Sequence, residues 1–193
     1  MEKEELRKEF KKALSGITVQ QREQMSNKAC KNLVSTRAFQ EASGIMFYLA
    51  LPHEVDTTEA MLEAWQQEKT VVVPRILWHQ GHMIPVQINT LEKDMATEHS
   101  GLRNPVKGVP VPLEDIDLVV APGLGFDEKG NRLGRGEGYY DSFFRHNGVK
   151  ALRCGFAFEN QRVKSLPVTD NDQPIDFLVT EQNVIYFNSK AKR

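Results

Sequence analysis

The chain has 193 residues, of which 40% are hydrophobic, 26% charged and 8% aromatic; a chain of this size buries about 70% of its unfolded surface, so intrinsic disorder is excluded. Lys plus Arg number 25 and Asp plus Glu 26, a formal charge of −1 that is no footprint of a general nucleic-acid binder, although it leaves room for a local cationic pocket. The longest apolar run, Ile45 to Leu51, is far below the ~20 residues of a membrane helix, the first dozen residues carry no secretory pattern, and Cys30 and Cys154 form no CxxC, so membrane partners, a disulfide framework and a cysteine zinc site are all set aside and a cytoplasmic setting is expected.

From the N-terminus, residues 2–14 place Leu6, Phe10, Ala13 and Leu14 on one face and read as a helix stopped by Gly16. Thr18 with Gln21 makes a capping box, and Met25, Ala29 and Leu33 carry a second helix over 19–36. Ile45 to Leu51, closed by Pro52, reads as a strand covered on both faces. Met61, Leu62 and Trp65 mark a helix after Asp56, with Met61 and Trp65 expected in the core. Thr70 to Val73 is a β-branched run, and residues 76–88 read as a hairpin around Gln80-Gly81. His79 and His82 flank that turn, there is no HExxH, and the five histidines are expected on loops or the surface.

Pro105, Pro110 and Pro112 punctuate an irregular stretch before a second buried strand, Leu118 to Ala121, and a long glycine-rich loop. Tyr139 to Arg145 starts a helix, and Lys150 to Phe158, Phe177 to Thr180 and Val184 to Phe187 read as strands. No repeat or low-complexity linker divides residues 1–193, which are read as one domain. Alternating strands and helices indicate the α/β class, with a largely parallel sheet flanked by helices. Ligands of such sheets sit beyond the carboxyl ends of the strands, which points to the loop after Ala121.

Six of the 13 glycines fall between Gly123 and Gly138, within PGLGFDEKGNRLGRGEGYYD. Glycine lets backbone N–H groups approach a ligand closely, and a loop running from strand to helix suits phosphate. Arg132 and Arg135 could grip phosphate bidentately, and Asp141 could hold a magnesium ion bridging phosphates. No GxxxxGK[ST] is present, and Gly134, Gly136 and Gly138 form GxGxG rather than GxGxxG. Glycine richness alone fits a solvated surface loop equally well; the two arginines and the acid favour phosphate binding.

GFDEKGNRLGRGEGYYD resembles the signature of the 5-formyltetrahydrofolate cyclo-ligase family, also called methenyltetrahydrofolate synthetases. Further blocks follow in the family's order: KEELR at 3–7, YLALPHEVDT at 48–57, Pro74-Arg75, and the LPxxxxD pattern of Leu166 to Thr180. The resemblance implies a three-layer domain related to the sugar-phosphate isomerase and CoA-transferase folds. It also implies ATP- and Mg2+-dependent closure of 5-formyltetrahydrofolate, of unspecified polyglutamate length, to 5,10-methenyltetrahydrofolate, with release of ADP and phosphate. Such chemistry needs no enzyme nucleophile. The family goes with a monomer or weak homodimer.

By the match, ATP binding falls to Lys3, Arg7, Arg132, Leu133, Gly134, Arg135, Gly136, Glu137, Gly138, Tyr139 and Tyr140. Leu49, Glu54 and the stretch Arg135, Gly136, Glu137, Gly138 and Tyr139 border the folate. Arg135 and Tyr139 are the implied catalytic residues, and Asp141 and Asp172 the magnesium carboxylates. Without the match, Lys3 and Arg7 read as a solvated helix end, Asp172 as a turn residue, and Glu54 as a loop acid. Arg75 stays outside the site, since a structural ion pair explains it as well. Glu137 stands where some relatives carry Lys and is expected to face solvent. Two rival readings stand beside the enzyme: a folate or nucleotide sensor without turnover, and an ATP-independent isomerase or transferase of the same fold class.

Overall fold

The computed structural model describes residues 2–93, 95–97, 101–188 and 191. Along the chain, the helices α1 (Lys3–Ser15), α2 (Val19–Val34) and α3 (Arg37–Glu41) precede strand β1 (Gly44–Met46), helix α4 (Thr58–Gln66) and the strands β2 (Thr70–Leu77) and β3 (His82–Gln87). Short strands β4 (Met95–Thr97), β5 (Arg103–Pro105) and β6 (Val109–Pro110) lead to β7 (Leu118–Ala121). After them come β8 (Gly125–Asp127), β9 (Arg132–Leu133), α5 (Tyr139–Phe144), β10 (Leu152–Phe156), β11 (Arg162–Val163), β12 (Phe177–Val179) and β13 (Val184–Tyr186).

The central sheet runs β13-β12-β10-β7-β1-β2-β3-β6. Its inner five strands, β12 to β2, pair in parallel, and β13, β3 and β6 join antiparallel at the edges. Alternation along the strands sends Ile45, Val71, Leu118, Val120 and Phe177 to one face, where they meet Phe10 and Leu14 of α1, Leu33 of α2, Phe39 of α3 and Met61 of α4. Met46, Val72, Val119 and Ala121 point to the other face and meet Phe143 and Phe144 of α5. Beside them Phe126 of the small β11-β8-β9 sheet packs on Ala157, Ile175 and Leu178. The result is a mixed α/β fold of three layers, as expected.

Differences from the expected elements have local causes. The strand expected over Ile45 to Leu51 leaves the ladder after Met46, with a last bond from Phe47 N–H to Val72 O. Tyr48 Oη then donates to Val55 O, and Thr57 Oγ1 donates to Tyr48 O, so side chains fold the run back into a loop while Phe47, Tyr48 and Leu49 stay buried. The helix expected over 19–36 ends at Val34 because Thr36 Oγ1 accepts Phe39 N–H and starts α3 instead. The strand expected from Lys150 is shorter, β10, and the glycine-rich loop contains the β8–β9 hairpin, whose two- and three-residue strands carry no usable periodicity. The hairpin at Gly81 is present, with Gly81 at φ +65 closing it. Met61 is buried, and His53, His79, His82 and His146 are exposed; His99 lies outside the described residues. Arg75 has no ion pair among the described residues, and its Nε is buried without a partner. Both cysteines are free and buried, and burial pushes the Cys30 thiol up to about 12, so it is no nucleophile at neutral pH.

Gly44 opens β1 in a place with no room for a side chain: a Cβ would stand 2.1 Å from the carbonyl oxygen of Asp115. That oxygen is backbone, and Asp117, two residues on, ties the strand by accepting the N–H groups of Ser43 and Gly44. Gly44→Ala is therefore expected to cost about 3 kcal/mol, the upper end of usual overpacking. The check is a lowered urea midpoint at unchanged slope; an unchanged midpoint would show that this turn yields freely.

Candidate active site

Chain order around β1 decides where a crevice opens. From β1 the chain moves to β2 on one side and later to β7 on the other, so the strand order reverses between β1 and β7. Loops leaving these two strands diverge, and ligands of open α/β sheets bind at such a switch point. A cavity of about 980 Å³ lies there, at the large end of the roughly 300–1,000 Å³ of ligand pockets. Tyr48, Leu49 and Leu51 to Glu54 after β1, Pro122, Gly123 and Arg132 to Asp141 after β7, the end of β2 and the start of α1 line it.

Its charge is unlike that of the whole chain. Seven cations (Lys3, Arg7, Lys11, Arg103, Arg132, Arg135 and Arg145) face four carboxylates (Glu54, Glu137, Asp141 and Asp172). In a chain of net charge −1, this concentrates positive potential in one place and suits an anionic ligand.

The glycine-rich loop is shaped from below by Asp127. Its carboxylate accepts the N–H groups of Lys129, Asn131 and Leu166 and the Asn131 side-chain amide. That turn directs Arg132 inward, where Nη1 donates to Pro122 O at 3.1 Å, Nη2 meets Asp141 Oδ1 at 3.0 Å, and the guanidinium lies 5.6 Å from the Tyr140 ring centre. Arg132 Nε and the Tyr140 hydroxyl are buried without partners. Leu133 is buried beneath the loop. Beyond it the chain turns outward: Gly136 has φ +118 and Gly138 φ +71, conformations that only glycine adopts without strain, and nothing stands within 4 Å of a Cβ built on Gly138. The backbone N–H groups of residues 135–138 donate to nothing among the described residues.

Arg135 reaches across to the loop after β1, where its Nε donates to Glu54 Oε1 at 2.8 Å. Glu54 is 8% exposed, and its other oxygen accepts the N–H of Leu51, which fixes the carboxylate in a tight turn. Leu49 lies beside it on the cavity wall. On the opposite rim, Lys3 pairs with Asp172 and Arg7 pairs with Glu4, while Arg7 Nε donates to Gly134 O at 3.0 Å. Burial disfavours the charged form of Asp172, but the Lys3 ammonium and the Thr169 N–H and hydroxyl outweigh it and hold the carboxyl below its ordinary range. Partial burial, with Glu137 nearby, raises the Tyr139 phenol, and burial raises Tyr140 strongly, so both stay protonated donors.

All the residues expected from the sequence thus line one cavity, from Lys3 on α1 to Asp172 before β12. Glu137 is exposed, as expected. Sequence reasoning missed Lys11, Arg103, Arg145 and the apolar wall of Pro74, Ile76, Trp78 and Met83. Lys11 had a signal, since it continues the four-residue spacing of Lys3 and Arg7. The wall had none, because it forms only when β2 and β3 pair.

Magnesium takes carboxylate oxygens from a protein, usually one or two, with phosphate oxygens and water completing its shell. Asp141 and Asp172 match that donor type and lie close together, Asp141 Oδ1 accepting the N–H of Gln173 beside Asp172, although no cluster of three His, Cys, Asp or Glu side chains occurs among the described residues.

Known proteins resemble this chain over most of its length. The model of the 5-formyltetrahydrofolate cyclo-ligase family matches residues 1–181. The mouse 5-formyltetrahydrofolate cyclo-ligase is 29% identical, covering 92% of this chain and 93% of its own; the Haemophilus influenzae enzyme is 27% identical over 92% and 97%. The solved structure of Aquifex aeolicus 5,10-methenyltetrahydrofolate synthetase superposes with a TM-score of 0.84 at 32% identity, covering 97% of this chain and 93% of that one. A Mycoplasma pneumoniae synthetase, at 18% identity and a TM-score of 0.77, shares the fold. With the match running from α1 through the glycine-rich loop to the end of β12, the chain belongs to the 5-formyltetrahydrofolate cyclo-ligase family.

Proposed function

We propose that this chain closes 5-formyltetrahydrofolate to 5,10-methenyltetrahydrofolate with ATP and magnesium, releasing ADP and phosphate. The observation that carries the reading is the Arg135–Glu54 pair, which joins the cationic glycine-rich loop to the loop after β1 inside one cavity large enough for two ligands. A formyl amide is a poor electrophile, because nitrogen donation stabilises it and its oxygen leaves badly. Transfer of the γ-phosphoryl group to the formyl oxygen turns that oxygen into a leaving group. N10 then attacks the formyl carbon and gives up its proton, and phosphate departs carrying the former formyl oxygen and takes that proton.

The protein's work in such a reaction is positioning and charge stabilisation. Glu54, held by Leu51 N–H, offers a fixed acceptor to pterin N–H groups, and Leu49 offers apolar area beside it. Arg135, next to Glu54, stabilises charge where phosphate and formyl oxygen meet, and Tyr139 presents a protonated phenol. Lys3, Arg7 and the N–H groups of residues 135–138 receive phosphate oxygens. Arg132 adds charge from beneath while orienting Asp141. Asp141 and Asp172 would hold magnesium, which when bound neutralises phosphate charge. A cytoplasmic setting goes with this reading, in keeping with two free, buried thiols.

The test is an assay of purified protein with magnesium, ATP and 5-formyltetrahydrofolate, following methenyl absorbance and ADP together. One ADP per product, only with every component present, is expected. Binding of both ligands without product would make the chain a sensor, and product without ATP would make it a transferase or isomerase.

A further inference from the structure

Trp78 is the largest side chain in the cavity wall that the reading above leaves without a task. It stands in the single turn of 3-10 helix Trp78–Gln80 between β2 and β3, and it is 46% exposed although it is an indole. Its ring centre lies 6.1 Å from that of Tyr139, with the planes at 83°, and both line the cavity beside Pro74, Ile76 and Met83. An indole this exposed gains little from the core, whereas an aromatic pair at right angles, with apolar neighbours, presents surface suited to a planar ring. Its support is rigid, because the turn is closed by Gly81 and flanked by six paired residues on each strand.

We infer that Trp78, braced edge-to-face by Tyr139, forms one wall of a clamp that stacks on the flat aryl portion of the reduced folate, and so acts as a binding residue for that substrate and not for the nucleotide. The ligand's identity rests on the cyclo-ligase reading. The side of the cavity decides between the two ligands. Lys3, Arg7 and Asp172 come from α1 and the turn before β12, on the β7–β10 half of the sheet order. Leu49 and Glu54 leave β1, and the wall that continues from them belongs to the next strands, β2 and β3. A ligand whose pterin meets Glu54 therefore runs its aryl group along β2 toward Trp78, away from Lys3, Arg7 and Asp172.

Two variants and two titrations test this. Trp78→Ala is expected to raise the KM for 5-formyltetrahydrofolate about tenfold, with the KM for ATP and kcat within about twofold of wild type, the scale of one lost aromatic contact. Trp78→Phe keeps a ring and recovers most of the loss. Because Trp65 is held apart, its Nε1 donating to Ile88 O, the difference in emission between wild type and Trp78→Phe reports on Trp78. Folate, after inner-filter correction, is expected to quench that difference signal, and ATP to leave it unchanged. An unchanged folate KM in Trp78→Ala, equal losses for both substrates, or quenching by ATP alone overturns the clamp. If the wild type forms no product, the cyclo-ligase reading fails, and the folate titration still decides the clamp.

Discussion

Arg135→Ala is expected to lower turnover about 10²–10³-fold while leaving the fold intact, the scale of removing one preorganised donor from a site of developing charge. Arg135 is the guanidinium best placed for such a role. Its Nε is fixed on Glu54 at 2.8 Å, and the two Nη groups make no hydrogen bond among the described residues, so a planar pair of donors is oriented yet unspent. At one-third exposure its side chain is open to a ligand, unlike that of Arg132, which is 3% exposed and occupied by Asp141 and Pro122 O. Arg135→Lys keeps the charge and loses the fork, so its turnover should lie between wild type and alanine. Single-turnover and steady-state kinetics with each substrate saturating are the check. Wild-type turnover in Arg135→Ala would remove it from the mechanism.

Asp127→Ala is expected to destabilise the protein by about 3–5 kcal/mol, because one buried carboxylate is the acceptor for four N–H donors that have no substitute. The loss also loosens the loop that aims Arg132, so activity should fall below the folded fraction measured in the same sample. The pH dependence carries a sign. Burial opposes the charged form of Asp127, yet the bonds from Asn131, Lys129 and Leu166 outweigh it and hold the carboxyl below its ordinary 3.8. Its contribution is therefore complete above 3.8 and is lost as pH falls through the lower folded value. Urea unfolding of wild type and Asp127→Asn should show a stability difference that is constant near neutrality and shrinks below 3.8. A difference that grows in acid would contradict the assignment.

Much of this architecture was legible in the chain because one-period patterns wrote it. The capping box at Thr18, the buried run Leu118 to Ala121 and the turn at Gly81 all depend on neighbours in sequence. What was not legible depends on groups that meet only after folding. Tyr48 and Thr57 bend the end of β1 through long-range side-chain bonds, and the β8–β9 hairpin exists because Asp127 closes its turn and Phe126 finds a hole above Gly155. The site divides the same way. The glycine spacing and the arginines pointed to a phosphate side, and the motif match supplied Lys3, Glu54 and Asp172, which local chemistry alone reads as surface. The Arg135–Glu54 pair spans 81 positions, and the Trp78 wall crosses a hairpin, so neither leaves a local trace.

If one cavity brings a formyl oxygen onto a phosphoryl group, as proposed, an isotope follows that oxygen directly. With substrate labelled by oxygen-18 at the formyl group, turnover with ATP and magnesium is expected to deliver one labelled oxygen into each phosphate released, leaving ADP unlabelled. Unlabelled phosphate beside full formation of methenyl product would rule out phosphoryl transfer to the formyl oxygen.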